Sequence, residues 1–110
     1  VRIALASRFG TGMVTRATGL HVRDEIAAAL RTGQKIEVDF SGIDLVSHGF
    51  ADEAIAKLLH EFPLADLSTR CQFRGCNAVV ATMIRIAVQE RKKAIAEFPG
   101  EGSRDRAETP

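Results

Sequence analysis

The sequence contains no Trp and no Tyr, and its six Phe are scattered along 110 residues. A surface that stacks bases needs aromatic rings interleaved with cations, so a single-stranded nucleic-acid binder would lack its platform here. Charge of one sign is missing too: 15 Lys and Arg stand against 14 Asp and Glu, a formal net charge of +1. No global field therefore draws nucleic acid or an anionic membrane. Cysteine is scarce. Cys71 and Cys76 have no second pair beside them, which excludes a four-cysteine zinc site and a disulfide framework. They read as reduced, structural thiols of a cytoplasmic protein. No apolar run approaches the ~20 residues of a membrane-spanning helix. The opening VRIALASR is too short an apolar stretch for a signal peptide. It starts at Val1 without Met, as a trimmed chain or a piece of a longer one would.

What is present suits one soluble domain with a modest core: 45% of residues are hydrophobic and 26% charged. RIALA reads as a short strand, SRFGTG as a glycine turn, and MVT as a second short strand returning from it. Val22, Ile26 and Leu30 recur every four residues, predicting a helix from Ala17 to about Arg31 that Gly33 ends. In KIEVDF, Ile36, Val38 and Phe40 alternate with Lys35, Glu37 and Asp39, the pattern of a strand with one apolar face. Two apolar rows from Phe50 to Phe62 predict a helix over 50–61, stopped by Pro63. PLADLST reads as a loop or short turn, and Cys71 to Gly75 as a third main strand. Asn77 suits the N-cap of a last helix whose apolar face is Val80, Ile84, Ala87 and Val88. Its RKK, residues 91–93, reads as a solvated helix end. Residues 98–110 have the composition of a disordered tail, leaving 1–97 as the domain. Strands alternating with helices give an α/β fold, with the last strands parallel where they are neighbours.

The segment DFSGIDLVSHGFADE, residues 39–53, runs from a strand end into a helix start, where α/β sheets usually meet their ligands. Its turn of Ser47, His48 and Gly49, with Asp52 and Glu53 in the helix's opening residues, is the candidate recognition surface. A helix start favours an anion, but two carboxylates there would repel a phosphate and instead serve as internal dipole partners. Ser47 and His48 could suggest a nucleophile and its base with Asp52. Adjacent turn residues point apart, however, and no G-x-S-x-G elbow surrounds the serine. His48, Asp52 and His60 make a poor metal set, since twelve helical residues from His48 to His60 span roughly 18 Å. His21 reads as a helix-surface residue. Arg8, Gly10, Gly12 and Arg16 are the candidate anion or nucleotide residues, although FGTGMVTRATG matches neither G-x-x-x-x-G-K-[ST] nor G-x-G-x-x-G. No cofactor is expected.

Residues 38–59, VDFSGIDLVSHGFADEAIAKLL, resemble the central motif of STAS domains, best known as bacterial anti-sigma-factor antagonists. They resemble more closely the STAS-like family of unknown function, whose Asp-Phe-Ser/Thr-Gly-Val and Phe-Ala-Asp-Glu match residues 39–43 and 50–53. Two flanking stretches are similar to that family as well: VTRATGLHVRDEI, with Arg16, Gly19 and Arg23, and RGCNAVVATMI, with Asn77. The resemblance implies a small mixed sheet flanked by helices. It also implies a non-enzymatic module of signalling or transcription regulation that docks a protein partner, a GHKL-type ATPase/kinase or a sigma-regulatory protein. In the phosphorylated antagonists that kinase modifies a serine at the helix start. The motif's serine position falls here on Gly49 or, shifted by one, on His48. Ser47, one position earlier, is the one candidate phosphosite. The fold and docking surface are thus expected to be kept and the serine switch lost.

Overall fold

A computed structural model describes residues 1–97, and the expected disordered tail at 98–110 lies outside the described residues. Three strands, β1 (Arg2–Ala4), β2 (Ile36–Asp39) and β3 (Cys71–Arg74), form one sheet in the order β1-β2-β3. Both pairings are parallel, Ile3 standing beside Val38 and Val38 beside Phe73. The α/β class holds, and the sheet is parallel where a mixed one was expected. The reason is that every strand-to-strand connection carries helix: α1 (Leu5–Phe9) and α2 (Arg16–Arg31) in the first, α3 (His48–Ala54) and α4 (Leu64–Arg70) in the second. A last helix, α5 (Ala78–Glu97), follows β3.

The alternation in β2 sorts the sheet into two unlike faces. Ile36, Val38 and Phe40 are buried with Ile3 and Cys71, and the rings of Phe40 and Phe73 meet edge to face at 5.9 Å. Burying large apolar side chains contributes roughly 1.5–3 kcal/mol each. The opposite face is charged. Arg2 and Arg74 reach Glu37 at 3.4 and 2.8 Å, and Arg2 also binds Asp39. Cross-strand ion pairs of this sort let one face of a parallel sheet stand in water.

Several local expectations are corrected. The first half of SRFGTG is helical, since α1 takes up Leu5–Phe9 and Gly10, at φ 78°, caps it with its N–H on the Ala6 carbonyl. MVT does not return on β1. Met13 instead makes a parallel bridge to Val46, and both are buried. The helix expected over 50–61 begins earlier, at His48, and tightens after Ala54 into a 3-10 turn, Ala56–His60. PLADLST is α4, which Pro63 precedes, with Asp66 in its first turn and Arg70 in its last. None of its residues is buried, so it carries too little apolar periodicity to be read in advance. Asn77 does cap α5: its Oδ1 accepts from Val80 N at 2.8 Å, while its Nδ2 donates to the Asp44 carbonyl at 2.9 Å.

Candidate functional site

The loop from Phe40 to Ser47 leaves the sheet, sinks Ile43 and Val46 into the core, and delivers the chain to α3. Ser47 closes it. Its Oγ accepts from Phe50 N at 2.9 Å, the N-cap bond of α3, and donates to the Val14 carbonyl at 2.7 Å. One hydroxyl thus satisfies a helix-end amide and anchors the loop to the Met13–Val14 segment. His48 is exposed, with Nε2 2.7 Å from Glu90 Oε1 on α5. Gly49 lies half-buried against Arg16.

Asp52 and Glu53 are not part of an exposed turn, and neither lies in the first turn of α3. They are 4% and 8% exposed, on the helix face that packs between α2 and α5. Arg91 of α5 grips Asp52 with two bonds, Nε to Oδ1 at 3.0 Å and Nη2 to Oδ2 at 2.5 Å. Arg16 Nη1 bridges the carboxylates, 3.0 Å from Asp52 Oδ2 and 3.1 Å from Glu53 Oε1. Arg23 Nη1 lies 3.1 Å from Glu53 Oε2, and Lys57 Nζ 3.0 Å from Glu53 Oε1. Burial pushes both carboxyls up. Hydrogen bonds from Arg91 and Arg16 to Asp52, and from Lys57 and Arg16 to Glu53, outweigh it and hold both below the ordinary range.

Gly19 permits this cluster. A Cβ built there would stand 2.9 Å from Glu53 Cβ and 3.1 Å from the Phe50 carbonyl oxygen, so only glycine lets α2 approach α3. Arg16, Gly19 and Arg23, at i, i+3 and i+7, form one stripe of α2 facing the acids.

The profile of the family described as a STAS-like domain of unknown function matches residues 18–81, more than half of the chain. The chain belongs to that family. No curated protein and no solved structure matches it. The matched span of this STAS-like domain takes in Gly19, Arg23, the whole loop and the acid pair; Arg16 and Arg91 lie outside it.

The structure gathers the sequence's candidates in two groups. Ser47, His48 and Gly49 sit together at the loop's end, while Asp52 and Glu53 turn into the helix cluster. Arg8, Gly10, Gly12 and Arg16 do not converge into a cradle. Arg8 pairs with Glu25 at 2.5 Å, and Glu25 lies nine residues beyond Arg16, half a rotation round α2 and ~13.5 Å along it. Arg91 was not legible as a site residue, because RKK reads as a solvated end. Its signal is present nonetheless: Ile84, Ala87 and Arg91 at i, i+3 and i+7 share the buried face. Cys71 is buried, which pushes its thiol up to about 11, well out of the nucleophilic range. Among the described residues no helix is long and apolar enough to cross a membrane.

Proposed function

We propose that this STAS-like domain is a non-enzymatic, cytoplasmic interaction module that docks a regulatory protein of the GHKL ATPase or sigma-regulator class at the loop leading into α3. The observation that carries the reading is how the loop uses its groups. Ser47 is committed to the cap and the Val14 carbonyl, and Asp52 is saturated by two arginines. That leaves Ser47, His48 and Asp52 unsuited to act as nucleophile, base and orienting group. The outer rim carries exposed apolar side chains beside Ser41, Asp44 and His48. Val14 and Leu45 flank the Met13–Val46 bridge and are each 51% exposed, and Val79, in the first turn of α5, is 58% exposed. Asn77 binds that helix start to the loop. Exposed apolar side chains held on a rigid rim favour protein contact.

Phosphorylation has no part in this reading. A phosphate on Ser47 Oγ would remove the proton donated to Val14 and work against the loop it anchors. Stoichiometric phosphate on Ser47 after incubation with a cognate kinase would reverse that conclusion.

The test is affinity capture from source cells by wild type, Leu45→Glu, Val79→Glu and an Ile86→Glu control, followed by calorimetry with the purified partner. A regulatory protein should bind wild type and the control and be lost from the two rim variants. Equal binding to all four chains would remove the rim from consideration.

A further inference from the structure

The acid pair on α3 is overcompensated. Asp52 and Glu53 carry two negative charges, and Arg16, Arg23, Lys57 and Arg91 surround them with four positive ones. Every oxygen of the two carboxylates already faces a cation. Their charge is consequently spent inside the cluster, and the surplus is positive.

That surplus faces a cavity. A polar hollow of about 600 Å³ opens between α2, the 3-10 turn and α5. Its walls include all four cations and Arg31, against the carboxylates of Asp24, Asp52 and Glu61. Counted with Glu53, which holds three of these cations from behind, five positive charges oppose four negative ones. Glu61 is occupied by Arg31, at 2.5 Å. Arg23 engages Glu53 through one nitrogen of a five-donor fork, and Lys57 through one ammonium of three donors. Such donors, half-sheltered and held by buried acids, are prepared for a compact acceptor with several oxygens. Apart from Ala27, Leu58 and the His60 ring the walls are charged, so charge and oxygens dominate what the hollow can recognise.

We propose that this hollow binds a small, multiply charged oxyanion of the phosphate or pyrophosphate class, through Arg23 and Lys57 with Arg16 and Arg31 at its rim. The anion neutralises the surplus and stitches α2 to the 3-10 turn. It is recognised by its charge and oxygens. A nucleoside attached to it would therefore add nothing.

The experiment is a thermal-unfolding titration with sodium pyrophosphate, inorganic phosphate and ATP, at ionic strength held constant with sodium chloride. Pyrophosphate should raise the midpoint in a saturable way, and ATP should do no better. Arg23→Gln and Lys57→Gln should each weaken pyrophosphate binding by about tenfold or more, the size of one lost charge-assisted hydrogen bond. Arg85→Gln, away from the hollow, should leave it unchanged. Circular dichroism checks that each variant is folded, and Arg31→Gln replaces Arg23→Gln if the latter is not. A shift no larger than chloride gives, a shift with ATP alone, or equal loss in Arg85→Gln would overturn the site.

Discussion

Arg91 and Asp52 lie thirty-nine residues apart and meet through two parallel hydrogen bonds, one of them 2.5 Å long. This fork joins α5 to α3 where a helix-surface carboxylate would have sufficed for capping. An Asp that only complemented a helix dipole would cost about 0.5–1 kcal/mol on removal. Removing this one strands Arg91, whose side chain is 23% exposed, so Asp52→Ala should cost about 2–4 kcal/mol. Arg91→Lys should recover part of the loss relative to Arg91→Ala, because a lysine makes no fork. Urea unfolding of the three variants measures both differences.

The same acids set the response to pH. Asp52 and Glu53 titrate below their ordinary values of 3.8 and 4.5 in the folded protein, and Asp39 at about 2. For Asp39 the cause is hydrogen bonding from the Ser41 hydroxyl and amide, then from Arg2. A carboxyl whose folded pKa is depressed contributes stability that is present above its unfolded pKa and lost as pH falls through the folded one. Stability should thus be flat from neutral pH down to about 5, then fall progressively toward pH ~2. Asp52→Asn with Glu53→Gln should start lower and show a shallower acid limb. Denaturation midpoints taken across that range decide it; parallel limbs would mean that other carboxylates dominate.

Gly19→Ala sets two effects against each other. Alanine gains about 1 kcal/mol of helix propensity. The added Cβ, 2.9 Å from Glu53 Cβ and 3.1 Å from a backbone oxygen of α3, costs about 1–3 kcal/mol of overpacking. Backbone yields less readily than a flexible side-chain end, so the variant should be net destabilised. An unchanged or raised melting temperature would show that α2 and α3 can move apart at little cost.

Gly75→Ala has no compensating gain. Gly75 sits at φ 71°, and a Cβ there would lie 2.4 Å from Ser41 Oγ and 2.8 Å from Ser41 N. Strain and clash together predict a loss of about 2–4 kcal/mol, or failure to fold. Its melting temperature beside that of Gly12→Ala, where a Cβ meets nothing within 4 Å, isolates the effect.

Ser47→Ala removes the cap of α3 and the donor to Val14. The expected cost is about 1 kcal/mol, within the range of 0.5–2 for lost N-caps. Ser47→Asp keeps an acceptor for Phe50 N but has no proton for the Val14 carbonyl, and should fall between the wild type and the alanine variant. A Ser47→Asp chain as stable as wild type would show that the Val14 bond contributes nothing.

Read from the sequence alone, residues 17–31 and 36–40 gave their helix and strand through periods of 3.6 and 2, which depend on neighbours along the chain. Asn77 announced its cap for the same reason, and the motif at 39–53 announced the family. The short helices α1 and α4 escaped, because five and seven residues hold too few repeats for a period to register. The candidate site was legible by residue type and not by arrangement. DFSGIDLVSHGFADE displays Asp52 and Glu53, but their direction depends on partners contributed by α2 and α5. Gly19 lets α2 come close enough, and a seven-residue spacing from Ile84 turns Arg91 inward. Local patterns fixed the longer elements and the family. Only the packing of three helices decided that the two acids are a buried clasp, and that Ser47 is the pin of the loop, because a charge's role is set by what desolvates it and what pairs with it.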